Sequence, residues 1–204
     1  MFDIKNFNLD KEIASIEMPQ IKQIALDIKS VLNYIQDEEG EEGIKQITDK
    51  LKEHGFAYPD WKLINTTKWI SVKAVIIALL AAAKLFNWDD KDIIKAGKEV
   101  MVMGTLKKGI LRYLISPKYT FNRFNDVWRK RFSEGEIKIV SYDDNSKIAA
   151  LKIVNFKTHP ILCFLHIGIY TRAIEFTTGS ENVSVKKVKC THWGDTCHEY
   201  KITW

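Results

Sequence analysis

The sequence predicts an α+β fold, in which an N-terminal helical block packs on a small, mostly antiparallel four-stranded sheet made of two hairpins separated by one helix. Three observations predict it. Apolar residues recur at helical spacing from Ile21 to Phe132. After Gly135 the pattern shortens to β-branched runs with turn residues between them. One further helical stretch, from His159-Pro160 to Gly179, then separates the two strand pairs.

Taken in order, residues 1–20 are polar and weakly patterned. Ile21, Ile24, Ala25, Ile28, Val31, Leu32 and Ile35 fall on one face of an amphipathic helix that follows Pro19. The acidic run 37–43, with its two glycines, predicts a turn, and Ile44, Ile47 and Leu51 predict a shorter helix ended by Gly55. Phe56 to Leu63, interrupted by Pro59, reads as a loop whose rings pack on the core. Ser71 to Leu85 is helical and apolar on nearly every side, which marks a central buried helix. Asp89 and Asp92 open a helix that runs to about Met103. Leu106 to Ile115 is next, stopped at Ser116-Pro117 because the residue before proline avoids the α region. Tyr119 to Phe132 then places Phe121, Phe124, Trp128 and either Arg131 or Phe132 on one face.

Beyond Gly135, Glu136–Tyr142 and Lys147–Val154 flank the turn residues Asp143 to Ser146, a hairpin signal. Asn182–Cys190 and Cys197–Trp204 form the second hairpin, and in its last strand His198, Tyr200, Ile202 and Trp204 alternate onto one face. Two hairpins and one helix have little core of their own. A single domain is therefore expected, with residues 1–134 as its helical part and 135–204 as its strand part.

The charge excludes some classes. The 31 basic and 26 acidic residues are interleaved along the chain, leaving no arm or stripe to follow a phosphate backbone, so no nucleic acid is expected. The most apolar run, Ala74 to Ala83, lies between Lys73 and Lys84 and is well short of the roughly 20 residues that span a bilayer. The N-terminus has no apolar signal region, and a cytoplasmic location follows as the expectation. There the three cysteines are expected as thiols or metal ligands rather than as a disulfide framework.

Those cysteines are the most specific chemical feature. Cys190 and Cys197 close a hairpin end containing Gly194 and Asp195, and Cys163 precedes them on the last helix. They hold a metal such as zinc, with His192, His198 or Asp195 as the fourth ligand, or pack as inert thiols, or form a redox disulfide. No catalytic frame accompanies them. The chain lacks a nucleophile elbow, a His-Glu-x-x-His pair and a phosphate loop, so an enzyme is the less favoured reading. The aromatic set in the later half (Phe121, Phe124, Trp128, Phe132, Phe164 and Tyr170) is simply core, or else Phe121, Phe124, Trp128, Phe164 and Tyr170, together with Ile167 and Gly168, line an apolar pocket between helices and sheet.

The succession Trp128 … Gly135, a hairpin, Pro160-x-x-Cys163-x-x-x-x-Gly168 stopped by Gly179, Cys190-x-x-x-Gly194-x-x-Cys197 and Trp204 resembles the 4-vinyl reductase domain. That domain belongs to a superfold that includes heme nitric-oxide-binding sensors and palmitate-binding subunits of the Golgi tethering complex. The resemblance covers residues 119–204. It implies a domain that encloses a small apolar ligand, commonly the sensory part of a regulator and commonly dimeric. It also implies zinc on a helix cysteine, two hairpin cysteines and a glutamate three residues before the first of these. Carried over, the cysteines are Cys163, Cys190 and Cys197, while Lys187 stands at the glutamate position. The Tyr-x-Ser-x-Arg signature of heme-binding members is absent, with Tyr170-Thr-Arg172 the nearest approach.

The expectation is a non-catalytic sensor-type domain that binds a small hydrophobic or aromatic molecule, forms a homodimer and passes its output to a protein partner. Two alternatives stand beside it, a dimeric scaffold with no ligand and an accessory protein of tetrapyrrole or aromatic metabolism.

Overall fold

The computed structural model describes residues 2–16, 20–108 and 116–204, and over 103–108 the backbone alone. Its element order is α1 (Leu9–Ser15), β1 (Lys22–Ile24), α2 (Leu26–Glu53), β2 (Trp69–Ser71), α3 (Val72–Leu85), α4 (Asp90–Lys108), α5 (Pro117–Arg131), β3 (Glu136–Asp143), β4 (Ile148–Val154), α6 (Ile161–Thr178), β5 (Ser184–Lys189) and β6 (His198–Thr203). The α+β class is the one expected. The two hairpins join through their second strands into one antiparallel sheet of order β3-β4-β6-β5. Ala149, Leu151 and Ile153 of β4 and His198, Tyr200 and Ile202 of β6 all turn to the buried face. Among the described residues no helix is long and apolar enough to cross a membrane.

The helical half departs from the sequence expectation in three places. Ile21 to Ile24 is not the start of a helix; Lys22–Ile24 is a strand that pairs with Trp69–Ser71 in a second, two-stranded sheet. The two expected helices on either side of the acidic run are one helix, α2, broken only at Gly40, whose φ of 71° a side chain would resist. A short helix, α1, occupies the region read as unpatterned, started by Asn8, whose side chain accepts the Lys11 N–H. The helix expected over Leu106–Ile115 lies mostly outside the described residues; residues 106–108 continue α4.

Three local features place the site. Helix α3 is buried along nearly its whole length, as its lack of charge between Lys73 and Lys84 requires, and forms the centre of the helical layer. Helix α5 begins with the Ser116 hydroxyl accepting the Tyr119 N–H and with Pro117 in the first turn, where a missing N–H costs nothing. Its basic last turn suits the helix dipole, but Arg131 folds inward, where its guanidinium pairs with the Asp27 carboxylate in the first turn of α2. The third feature is the contact between α4 and α6. A Cβ on Gly97 would stand 2.1 Å from the Leu165 carbonyl oxygen, and one on Gly168 would stand 2.0 Å from that of Ile94. Only glycine at both positions lets the two backbones touch, and α6 is thereby pressed against the helical layer.

Candidate functional site

Helix α6 carries two groups of side chains. The first is at its N-terminal end. Cys163 Sγ lies 3.8 Å from Cys190 Sγ, at the end of β5, and 3.3 Å from His198 Nδ1, at the start of β6. The three ligand atoms all lie within 4.8 Å of one another and the three residues are buried. The ring of His198 is held from behind, since its Nε2 lies 2.9 Å from the Phe156 carbonyl oxygen. A carbonyl only accepts, so Nε2 carries the proton and the Nδ1 lone pair faces the sulfurs. The Thr191 hydroxyl also lies 3.1 Å from Nε2 and, with Nε2 protonated, accepts from it. The Cys190 loop is braced in turn by Asp195, whose carboxylate accepts the Cys190 N–H at 2.8 Å.

The electrostatics of the two thiols are opposite. Cys163 donates to Cys190, which holds the Cys190 thiolate well below the ordinary thiol range against the effect of burial, with a backbone N–H adding to the shift. The Cys163 thiol is pushed up, by its bond to Cys190 and then by burial. One proton between two sulfurs and a histidine lone pair is the donor chemistry of a soft, thiophilic cation such as zinc.

Of the residues expected here from the sequence, Cys163, Cys190 and His198 come together. Cys197 is buried just before β6 and is outside the group, as is His192 on the exposed side of the loop. Lys187 is no ligand; its ammonium lies over the rings of Trp193 at 4.5 Å and Phe164 at 5.0 Å.

The second group begins one turn along α6. A cavity of about 50 Å³ lies between α5, α6 and β3, and its walls are almost wholly carbon. Phe124, Trp128, Phe132, Ile137 and Ala173 supply most of the surface, with Arg131, His166 and Tyr170 among them. Half-buried Arg123, Val127 and Ile169 stand towards solvent. Trp128 is fixed by its indole N–H, which donates to the Glu134 carbonyl at 2.9 Å, and by stacking on Phe132 with ring centroids 4.2 Å apart. Burial lowers the His166 pKa to about 3, with smaller repulsion from His198 and Arg131, so the ring is neutral.

Phe124, Trp128 and Tyr170 are the expected pocket residues found on this cavity. The others fall elsewhere: Phe121 packs among Phe124, Tyr142 and Trp204, Phe164 lies under Lys187, Gly168 faces α4, and half-buried Ile167 is not on the wall. The sequence reading left a choice between Arg131 and Phe132 for the inner face of α5, and both line the cavity. His166 was legible only as a polar residue three positions after Cys163 on an apolar helix.

No family model matches the chain, and no curated protein matches it. Solved structures do. An H-NOX protein from S. oneidensis in the Fe(II)NO ligation state aligns with a TM-score of 0.62 at 14% identity, over 85% of this chain and 97% of that one. A doubly substituted H-NOX from Tt aligns at 0.66 and 12%, over 89% and 94%. An oxygen-binding H-NOX domain related to soluble guanylate cyclases aligns at 0.61 and 11%, over 86% and 92%. At such identities the likeness concerns backbone arrangement alone, and the fold of this chain is the one those H-NOX domains have.

Proposed function

We propose that this chain is a non-catalytic sensor-type domain that takes a small hydrophobic molecule into the cavity between α5, α6 and β3. The observation that carries the reading is the cavity itself, an open space of about 50 Å³ with carbon walls inside an otherwise continuous apolar cluster. Interiors are packed to crystal density, and a void of this kind forfeits contacts unless something fills it. Helix α6 supplies one wall of the cavity and also Cys163, so occupancy of the cavity bears on the thiol group through a single rigid element. In this reading Cys163, Cys190 and His198 hold a structural zinc that fastens α6 to the β5–β6 hairpin. Output passes through self-association or a protein partner.

Heme is the group associated with the similar H-NOX domains, and the residues here do not fit it. Ligand pockets run from about 300 to 1,000 Å³, several times the space between α5 and α6. The histidine on that space, His166, has its ring packed edge-on against Trp128 with centroids 5.5 Å apart. The ligand is instead a molecule of a few heavy atoms, since a cavity of roughly 150 Å³ is what benzene fills.

The test is an NMR titration of the purified chain with a three-carbon hydrocarbon, propene. Saturable shifts of the Trp128 indole and of the Ile137 and Ala173 methyl groups are expected. A titration that moves none of them sinks the reading in favour of a scaffold with a self-filled interior.

A further inference from the structure

Alternate residues of the four-stranded sheet turn away from the core, and Lys138, Lys152, Lys186, Lys189 and Lys201 are on that outer face. Two of them are matched, Lys138 by Glu136 at 2.7 Å and Lys189 by Glu199 at 2.8 Å. Lys152, Lys186 and Lys201 have no ion pair among the described residues. The register sets Lys186 directly opposite Lys201, with Ala150 on the other side of Lys201. Lys152 stands opposite Glu199, whose carboxylate is taken by Lys189. Like charges directly opposite one another destabilise a sheet, so this arrangement is kept at a cost.

Lysine on an edge strand guards against pairing with another sheet, which accounts for Lys186 on β5. Strands β4 and β6 lie inside the sheet, where there is no edge to guard, and Lys152 and Lys201 need another reason. The ground around the unmatched ammoniums is neutral and small, with Ala150, Ser184 and Thr203. Each edge strand breaks register once, and the valine at each break is exposed, Val140 to 50% and Val188 to 46%. The face thus offers unmatched positive charge with an apolar side chain at either rim, which are the parts of a protein-docking surface.

We propose that the outer face of this sheet docks an acidic helix of a partner protein, whose carboxylates pair with Lys152, Lys186 and Lys201. Opposed side chains in a sheet stand about 5 Å apart, close to the roughly 5–6 Å between positions i and i+4 on a helix. A second copy laid face to face would set lysine on lysine. Glu136, Asp143 and Glu199 share the face and oppose a phosphate-rich surface such as nucleic acid or an anionic bilayer. Four strands about 4.8 Å apart and some six residues long cover roughly 400 Å², half of the ~800 Å² that each partner gives to a standard interface. The contact is therefore weak, quickly released and salt-sensitive, as suits the output of a sensor. The need for an output partner rests on the sensor reading above; the surface itself does not depend on the cavity.

The probe is a helical peptide with glutamates spaced at i and i+4, beside a peptide in which glutamine replaces each glutamate. Both are titrated by NMR into the full chain with no cavity ligand present, so that failure here leaves the cavity reading standing. The glutamate peptide is expected to give saturable amide shifts confined to β4, β5 and β6, and to bind about tenfold more weakly when salt rises from about 0.1 M to about 1 M. Lys186→Glu combined with Lys201→Glu keeps a like-charge pair in the same place, so the fold is retained while binding falls about tenfold. Lys45→Glu combined with Lys91→Glu makes the same change of charge on α2 and α4 and is expected to alter binding less than about threefold. Equal weakening by the two double variants reduces the effect to net charge and overturns the docking face. Absence of saturable shifts, or equal binding of the glutamine peptide, overturns it as well. Tighter binding of a phosphatidylglycerol vesicle or a single-stranded oligonucleotide to the same strands overturns the acidic protein as the partner.

Discussion

The two groups on α6 are one helical turn apart and solve burial in opposite ways. At Cys163 the buried polar atoms satisfy one another: two sulfurs and a ring nitrogen share a proton, and His198, Thr191, Asp195 and the Phe156 carbonyl close the network. Around His166 and Tyr170 the His166 Nε2 and the Tyr170 hydroxyl have no hydrogen-bond partner among the described residues, and the cavity walls are almost wholly carbon. A closed network rigidifies, and an unpaired buried polar atom keeps the cost of leaving water. On the proposed function, the difference separates a fastening from a receptor on the same helix.

The largest expected effect tests whether the cavity wall is also core. Trp128→Ala removes a buried, stacked and hydrogen-bonded indole and is expected to lower stability by about 3–5 kcal/mol in urea unfolding. A loss below about 1 kcal/mol would mean that the ring borders open space on most sides, and the contrast between packed centre and receptive cavity would then be greater than drawn.

Next in size is zinc at the other group. If Cys163, Cys190 and His198 are the ligands, one equivalent of zinc raises the unfolding free energy by about 3–4 kcal/mol once its free concentration is a hundred to a thousand times its dissociation constant. Cys190→Ser abolishes that gain, and Cys197→Ser keeps it. Loss of the gain in both variants would restore the three-cysteine set that the resemblance implied, and would require the hairpin end to refold around the ion.

This division also marks how far the sequence could be read. The strand half was legible nearly residue by residue, because a hairpin writes its turn, its alternation and its register into a short local stretch, as in Asp143–Ser146 and the inward face His198-x-Tyr200-x-Ile202. The site was legible in part. Cys163, Cys190 and His198 were all candidates, but which of Cys197, His192 and His198 joins the two thiols depends on the twist of a loop, and spacing does not record twist. The pairing of Arg131 with Asp27 spans 104 residues and has no local signature. The strand Lys22–Ile24 was read as helix because its apolar residues continue the spacing of α2; its partner lies beyond that helix, at Trp69–Ser71.

Gly168 was expected at the pocket, and it faces Gly97 and the Ile94 carbonyl on α4 instead. Gly168→Ala drives a Cβ against backbone that cannot rotate away, and an overpacking loss of about 1–3 kcal/mol is expected. Because α6 carries both groups, the same variant should move cavity and thiol resonances together in NMR spectra. Shifts confined to one group would show that α6 does not couple them.

The effect that appears only in acid is the pH dependence that separates a buried neutral imidazole from a solvated one. His166 is neutral in the fold, its pKa lowered to about 3, while in the unfolded chain it returns to its ordinary 6.5. Between these values the unfolded state binds the extra proton. This share of stability is therefore complete above pH 6.5 and is lost as the pH falls towards 3, at up to about 1.4 kcal/mol per pH unit. His159, also lowered by burial but bonded to Glu12, contributes in the same direction, so the wild-type curve alone cannot assign the loss. The difference between wild type and His166→Leu can. Urea unfolding from pH 7 to pH 4 is expected to show the variant losing less stability than the wild type. Parallel curves would place the His166 ring in contact with water, and a wet cavity would count against a hydrophobic occupant.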